Sequence, residues 1–263
     1  MLEKNLESLS IQLHVARLEA NPIEQISKIH TNLTRNDAYA IQERQMQYRE
    51  EMGEVIVGFK MGLTSKAKRK QMNLDSPLYG FLTNKMQVKS DGVFSLSGTI
   101  HPKIEPEIAF LISKDLEWPV TREQVLESCS GVAACMEILD SRYTEFKYFS
   151  MEDVISDNSS SSHFVMGEWL RDFKSLDLLN LSMKMFVDDE LVQSGISSDI
   201  SGDPLLSVVE LCQMLSLRKK KLLAGSIVLA GAATPAVSLK PKMKIQLRVE
   251  NLAIVDVKVD GKI

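Results

Sequence analysis

Between His101 and Phe110 the chain reads His-Pro-Lys-Ile-Glu-Pro-Glu-Ile-Ala-Phe, placing two acids, Glu105 and Glu107, either side of a single proline. On an extended chain successive side chains alternate faces, so both carboxylates point one way while Ile104 and Ile108 point the other. Two carboxylates on one face attract a hard divalent cation such as Mg²⁺ or Mn²⁺, which prefers oxygen ligands. A third would complete such a site. The candidate is Glu137, an acid interrupting the apolar run that ends Ile138-Leu139-Asp140. The same pattern also fits an edge strand with a charged outer face, and Pro106 favours an edge because it has no N–H to donate. Spacing alone leaves both readings open.

A chain of 263 residues, 44% hydrophobic, can bury a real core as one large domain or a domain with a smaller companion. Its net charge of -4 offers no basic excess for nucleic acid. The one basic run, Arg218-Lys219-Lys220-Lys221, follows a helix-like segment and suits a helix C-terminus. The N-terminus has no continuous apolar run, so neither a signal peptide nor a membrane span is expected. Cys129, Cys135 and Cys212 form no Cys-x-x-Cys pair, and an odd count argues for buried thiols in a reducing cytoplasm.

Leu2, Leu6, Leu9, Leu13 and Ala16 recur at helical spacing and predict an amphipathic first helix. Asn21-Pro22 reads as a cap with a first-turn proline. Thr34 or Asn36 is expected to cap a second helix through Tyr48 and Met52, closed by Gly53. Val55–Gly62 reads as a strand in which Lys60 ends an apolar run before a glycine. Lys60 is either a snorkelling strand-end lysine or a functional one. Ser65 is a candidate cap for Lys66–Lys70, and Leu74–Gly80 reads as a loop from its turn residues. From about residue 93 strands dominate. Thr121-x-x-Gln124 is a capping box, and a short helix is expected over Met151–Ile155. Asp157–Ser162 reads as a structured turn entering a strand. Asp188-Asp189 marks a hairpin, Asp203-Pro204 opens a helix through Leu215, and a last hairpin joins Ile245–Val249 to Ala253–Val259. The expected class is α+β. An N-terminal helical part with the Lys60 strand occupies residues 1–92, and a mostly antiparallel β-rich body occupies residues 93–263.

Several motifs in this order resemble the hydratase/decarboxylase branch of the fumarylacetoacetate hydrolase superfamily. They are Gly58-Phe59-Lys60-Met61-Gly62-Leu63-Thr64-Ser65, Asp75-Ser76-Pro77-Leu78-Tyr79-Gly80, His101–Glu107, Glu137, Asp140-Ser141-Arg142-Tyr143 and Asp157-Asn158-Ser159-Ser160. The resemblance covers nearly the whole chain. It implies a mixed-sheet body of the family's type and an Mg²⁺ or Mn²⁺ site on Glu105, Glu107 and Glu137. It further implies a catalytic Lys60 and substrate contacts at Ser160 and in the loop after Glu137, at Arg142. Relatives often carry Thr-Gly where this chain has Ala230-Gly231, so a hydroxyl contact to substrate is either absent or moved to Thr234. His163 stands where decarboxylating relatives often have arginine.

The implied reaction is loss of CO₂ from a 2-oxo dicarboxylic acid, 2-oxo-3-hexenedioate, in the breakdown of aromatic compounds. Hydration of the dienol product by the sister enzymes is implied to use an acid just after the loop proline. Here that position is Leu78, so decarboxylation is the favoured expectation and hydration the alternative. A non-catalytic oxo-acid binder or scaffold is a third possibility, which the set Lys60, Glu105, Glu107 and Glu137 argues against. Self-assembly, and a complex with a partner hydratase, are further implications of the resemblance.

Overall fold

A computed structural model describes residues 3–65, 76–146 and 150–261. Three helices come first: α1 (Glu3–Glu19), α2 (Ile26–Ile29) and α3 (Arg35–Glu51). Helix α1 buries Leu9, Leu13 and Ala16, as the spacing predicts, while Leu2 lies outside the described residues. Thr34, rather than Asn36, caps α3 through a reciprocal box with Asp37. Asn21-Pro22 opens no helix. The backbone of Ile23 instead pairs with the loop at Arg142 and Thr144, and α2 starts only at Ile26. That long-range pairing overrides the local cap signal.

The strands are β1 (Ile56–Gly62), β2 (Leu78–Thr83), β3 (Gln87–Lys89), β4 (Gly92–Phe94), β5 (Lys103–Ile112), β6 (Cys129–Leu139), β7 (Ser161–Met166), β8 (Ser182–Val187), β9 (Glu190–Ile196), β10 (Ile227–Ala232), β11 (Val237–Ser238), β12 (Lys244–Val249) and β13 (Val255–Val259). Among them lie helices α4 (Arg122–Ser128), α5 (Met151–Ser156) and α6 (Pro204–Leu217). The capping box at Thr121, the Asp203 cap with Pro204, and the turn at Asp188-Asp189 stand where the sequence places them. Leu78–Gly80 belongs to a fully buried strand, not a loop. Leu74 and Asp75, and the helix expected over Lys66–Lys70, lie outside the described residues.

Two mixed sheets form. The larger runs β2-β1-β10-β5-β6-β7-β3, with β11 also on β5, and the smaller runs β4-β13-β12-β8-β9. Both contain parallel pairs, β1 with β10, β3 with β7 and β4 with β13, while the other pairs are antiparallel, as the sequence reading expects of the body. The larger sheet draws strands from both sides of residue 92.

Strand β5 is central, which disposes of the edge-strand reading of Glu105 and Glu107. Pro106 is tolerated because its missing donor faces the gap between the end of β10 at Ala232 and the start of β11 at Val237. Its carbonyl accepts from the Ala233 N–H at 3.3 Å.

The two faces of β5 and β6 differ sharply. One carries Ile104, Ile108, Phe110, Val132, Met136 and Ile138 into the main core, shared with Met183, Leu247 and Val257 of the smaller sheet and Leu205, Leu211 and Leu215 of α6. Each such side chain contributes roughly 1.5–3 kcal/mol of burial. The other face carries Glu105, Glu107 and Glu137 among small residues, Ala109, Ala133 and Cys135.

Candidate metal centre

Register decides the site. Glu105 lies directly opposite Glu137 across the β5–β6 pair, and Glu107 lies opposite Cys135, so the three carboxylates share one face. One oxygen from each lies within 4.8 Å of the others. Glu107 and Glu137 are fully buried and Glu105 partly so.

Lys60 completes the cluster. Its Nζ stands 3.0 Å from Glu137 Oε2, and the side chain is buried. It does not snorkel to solvent. In sheet order β1, β10, β5 and β6 are successive, so Lys60 and Glu137 are three strand spacings apart, about 14 Å in a flat sheet. Side chains stand away from a flat sheet, so the contact requires the sheet to curl towards the site.

Gly231 holds Glu107. Its N–H donates to Glu107 Oε2 at 2.8 Å, leaving Oε1 without a hydrogen-bond partner among the described residues. Gly231 has φ +112, and a Cβ there would lie 2.4 Å from Thr64 Oγ1, so both conformation and space demand glycine. The Ala-Gly sequence after an apolar strand was the only signal for this contact. Ala230 turns its own side chain into the main core, away from the carboxylates.

The electrostatics of the cluster suit a cation. Three carboxylates and one ammonium sum formally to -3 + 1 = -2, in a site largely out of water. Burial pushes the Glu107 and Glu137 carboxyls above their ordinary range, and the neighbouring glutamates push Glu107 further. Burial lowers the Lys60 ammonium, but Glu137, Glu105 and Glu107 outweigh it and raise the group overall. A dication brings the sum to zero, and an all-oxygen donor set suits Mg²⁺ or Mn²⁺. Free oxygens on two buried carboxylates fit that ion.

Leu78 borders the cluster. It pairs with Gly62, and a Cβ placed on Gly62 would lie 2.6 Å from Leu78 Cδ1 and 3.5 Å from Lys60 Nζ. The leucine therefore packs beside the ammonium and places no polar atom there. Ser160 ends a turn in which Asn158, Ser159 and Ser160 are all left-handed, with φ of 48°, 56° and 55°. Asn158 pins this turn to β2 by bonding the Phe81 N–H and C=O at 2.8 and 3.0 Å, and Ser159 Oγ donates to Tyr79 O at 2.6 Å. Between Tyr79 and Phe81 is Gly80, the strand partner of Lys60. Ser160 is thus held by its backbone while its buried Oγ has no partner among the described residues. Thr234 Oγ1 is likewise buried and unpartnered, two residues beyond Ala232, which pairs with Glu107.

Arg142 is placed differently. Its guanidinium ion-pairs with Asp157 and also donates to the carbonyls of Asp140, Asp157 and Ser161. It braces the turn before Ser160 and does not join the glutamates. The side chain of Asn158 was missed in the sequence, where it reads only as a turn former.

Comparison with known proteins identifies the relatives of this chain. The family model "Fumarylacetoacetate (FAA) hydrolase C-terminal" matches residues 44–260. A 4-oxalocrotonate decarboxylase of a Pseudomonas species is 41% identical over 230 residues, 88% of this chain and 89% of the relative. A 2-hydroxyhexa-2,4-dienoate hydratase of Comamonas testosteroni is 34% identical over 250 residues, 94% of each chain. Among solved structures, 4-oxalocrotonate decarboxylase from Pseudomonas putida G7, complexed with magnesium and adipate, superposes with a TM-score of 0.95 at 33% identity, covering 98% of each chain.

Glu107→Gln keeps the shape and the Gly231 contact but removes one charge. Calorimetric titration is expected to show Mg²⁺ affinity reduced roughly tenfold or more, the scale of one charge-assisted contact. The thermal melt without metal should be unchanged or higher, because a buried repulsion is gone. Unchanged Mg²⁺ affinity would remove Glu107 from the ligand set.

Proposed function

The chain belongs to the fumarylacetoacetate hydrolase family, and on that premise we propose that it is a carboxy-lyase, converting 2-oxo-3-hexenedioate (4-oxalocrotonate) to 2-hydroxypenta-2,4-dienoate and CO₂. The observation that carries this is the buried set of three glutamates and Lys60, with a formal excess of two negative charges, and Leu78 beside the ammonium.

Glu105, Glu107 and Glu137 would hold a divalent ion; the related decarboxylase is complexed with magnesium. When bound, it supplies Lewis acidity towards the 2-oxo acid end of the substrate. The distal C–CO₂ bond breaks with its electron pair moving through the conjugated double bond to the 2-oxo oxygen. Lys60 places an ammonium close to where that charge collects, and can give a proton to the oxygen. The buried hydroxyls of Ser160 and Thr234 orient the substrate. Arg142 is a positioning residue, acting through the Asp157–Ser160 turn. Leu78 offers no proton carrier for adding water to the dienol, which separates this reading from a hydratase.

Helix α1 exposes Ile11, Val15 and Leu18 along one side, at helical spacing. Through this stripe the chain is proposed to self-associate, and a partner hydratase is a further candidate for assembly. No helix among the described residues is long and apolar enough to cross a membrane. Three buried free thiols suit the reducing cytoplasm, the proposed location.

Purified protein with Mg²⁺ is expected to release CO₂ from 2-oxo-3-hexenedioate and to hydrate 2-hydroxypenta-2,4-dienoate poorly. Rapid conversion of the second compound, with no CO₂ from the first, would assign it as a hydratase. Lys60→Met keeps the stem and removes the charge. Its kcat should fall about 10²-fold or more, the scale of a positioned acid or charge-stabilising group. Normal kcat with a lower melting temperature in Mg²⁺ would mean that Lys60 only holds the fold. Light scattering at micromolar concentration should show an oligomer that Val15→Glu weakens, and a wild-type monomer would count against self-assembly.

A further inference from the structure

A second cluster of charge lies apart from the glutamates. A cavity of about 110 Å³ is lined by the cations Arg17, Lys85, Arg49 and Arg142, by His163, and by the acids Glu54 and Asp140. Lys60, Glu105, Glu107, Glu137 and Ser160 take no part in its lining. His163 pairs with Ile138, whereas Phe164 pairs with Glu137, so the His163 ring projects on the opposite face of the sheet from the glutamates. Its centroid lies 5.1 Å from that of Phe94, a main-core residue.

The acids at this cavity are already engaged. Asp140 accepts from the N–H groups of Ile100 and His101. Glu54 lies 2.7 Å from Arg49 and accepts from the Thr83 hydroxyl at 2.5 Å. Arg142 is committed to Asp157. Arg17 is left over, with its nearest Glu54 oxygen 3.9 Å away, beyond hydrogen-bond range. Its Nε and Nη2 are buried and have no hydrogen-bond partner among the described residues. Those two nitrogens form the side-on edge of a guanidinium, whose parallel N–H groups match the two oxygens of a carboxylate.

We propose that this cavity is a second ligand site, taking a small carboxylate on the Nε/Nη2 edge of Arg17. The surrounding potential agrees. Burial lowers the Arg17 guanidinium to about 10, and Arg49 lowers it further against the opposing pull of Glu54. Burial, then Arg49, Arg17 and Arg142, hold His163 down at about 4, so its ring is neutral. Ser162 Oγ stands 2.8 Å from His163 Nδ1, an interaction a neutral ring can accept. An anion entering here meets guanidiniums that repel one another and relieves that repulsion. The site depends on neither the metal nor the decarboxylation chemistry.

The test uses full-length protein kept metal-free with EDTA, at constant ionic strength set by chloride. Formate, acetate and inorganic phosphate are titrated in separate arms while the melting temperature and binding heat are followed. A saturable rise with formate or acetate is expected, with affinity at least tenfold weaker in Arg17→Gln. Arg17→Lys retains the charge without the fork, so it should fold as wild type and still bind more weakly. Glu107→Gln should respond as wild type. A saturable response to phosphate alone would overturn the carboxylate assignment. No saturable response in any arm would mean that water fills the cavity, and the proposal fails. It fails equally if both Arg17 variants respond like wild type, or if Glu107→Gln abolishes the response and so places the anion among the glutamates.

Discussion

The contact between Lys60 and Glu137 sets the shape of the large sheet. These residues sit on strands separated by two others, yet their charged atoms are 3.0 Å apart. Only a curled sheet brings them together. Three features permit the curl. Strand β10 loses register before Gly231, β1 shifts register between Ile56 and Gly58, and the concave face carries small side chains at Ala109, Ala133, Gly62 and Gly80. The same small residues leave the room in which the carboxylates converge.

Such a cluster is costly in the free protein. Buried carboxylates without enough counter-charge lose hydration and repel one another. The main core lies on the opposite face, where Ile104, Ile108 and Ile138 alternate with the glutamates and pack against the smaller sheet and α6. One pair of strands therefore supplies stability on one side and an electrostatically strained site on the other. A dication converts that strain into affinity, because it binds where negative charge is already collected and held. Gly231 sharpens this by fixing one oxygen of Glu107 and leaving the other available.

Period-two alternation made the shared face of Glu105 and Glu107 legible in the sequence, since it depends only on local geometry. The position of Glu137 opposite Glu105 is a matter of register between strands some 30 residues apart, which no local signal specifies. An acid interrupting an apolar run nominated Glu137, and resemblance to the family joined it to the other two glutamates. The misread segments share one cause. Asn21-Pro22 looked like a helix start until Ile23 paired with the loop at Arg142. Leu78–Gly80 looked like a loop because Pro77 and Gly80 are turn formers, but Gly80 is small for another reason: a Cβ there would lie 2.6 Å from Asn158 O. Pro106 looked like an edge residue, but it sits in a central strand with its missing donor facing the gap between β10 and β11. In each case a distant partner decided what a local rule left ambiguous.

Leu78 shows how one apolar side chain can bear on two competing reactions. It packs next to Lys60, in a cluster with Ala38, Met151 and Ile155, and is itself buried. With less water near the ammonium, its charge is less screened, so its effect on a developing enolate is larger. The same exclusion removes the water and the proton relay that hydration of the dienol requires. An acid at this position would do the reverse. It would pair with Lys60, weaken the field of the ammonium at the substrate, and bring a proton carrier and its hydration into the site. On the proposed function, the choice between losing CO₂ and adding water is coupled to the electrostatics of Lys60. A polar residue at position 78 would not simply add a function, because it would also draw on the charge that decarboxylation uses.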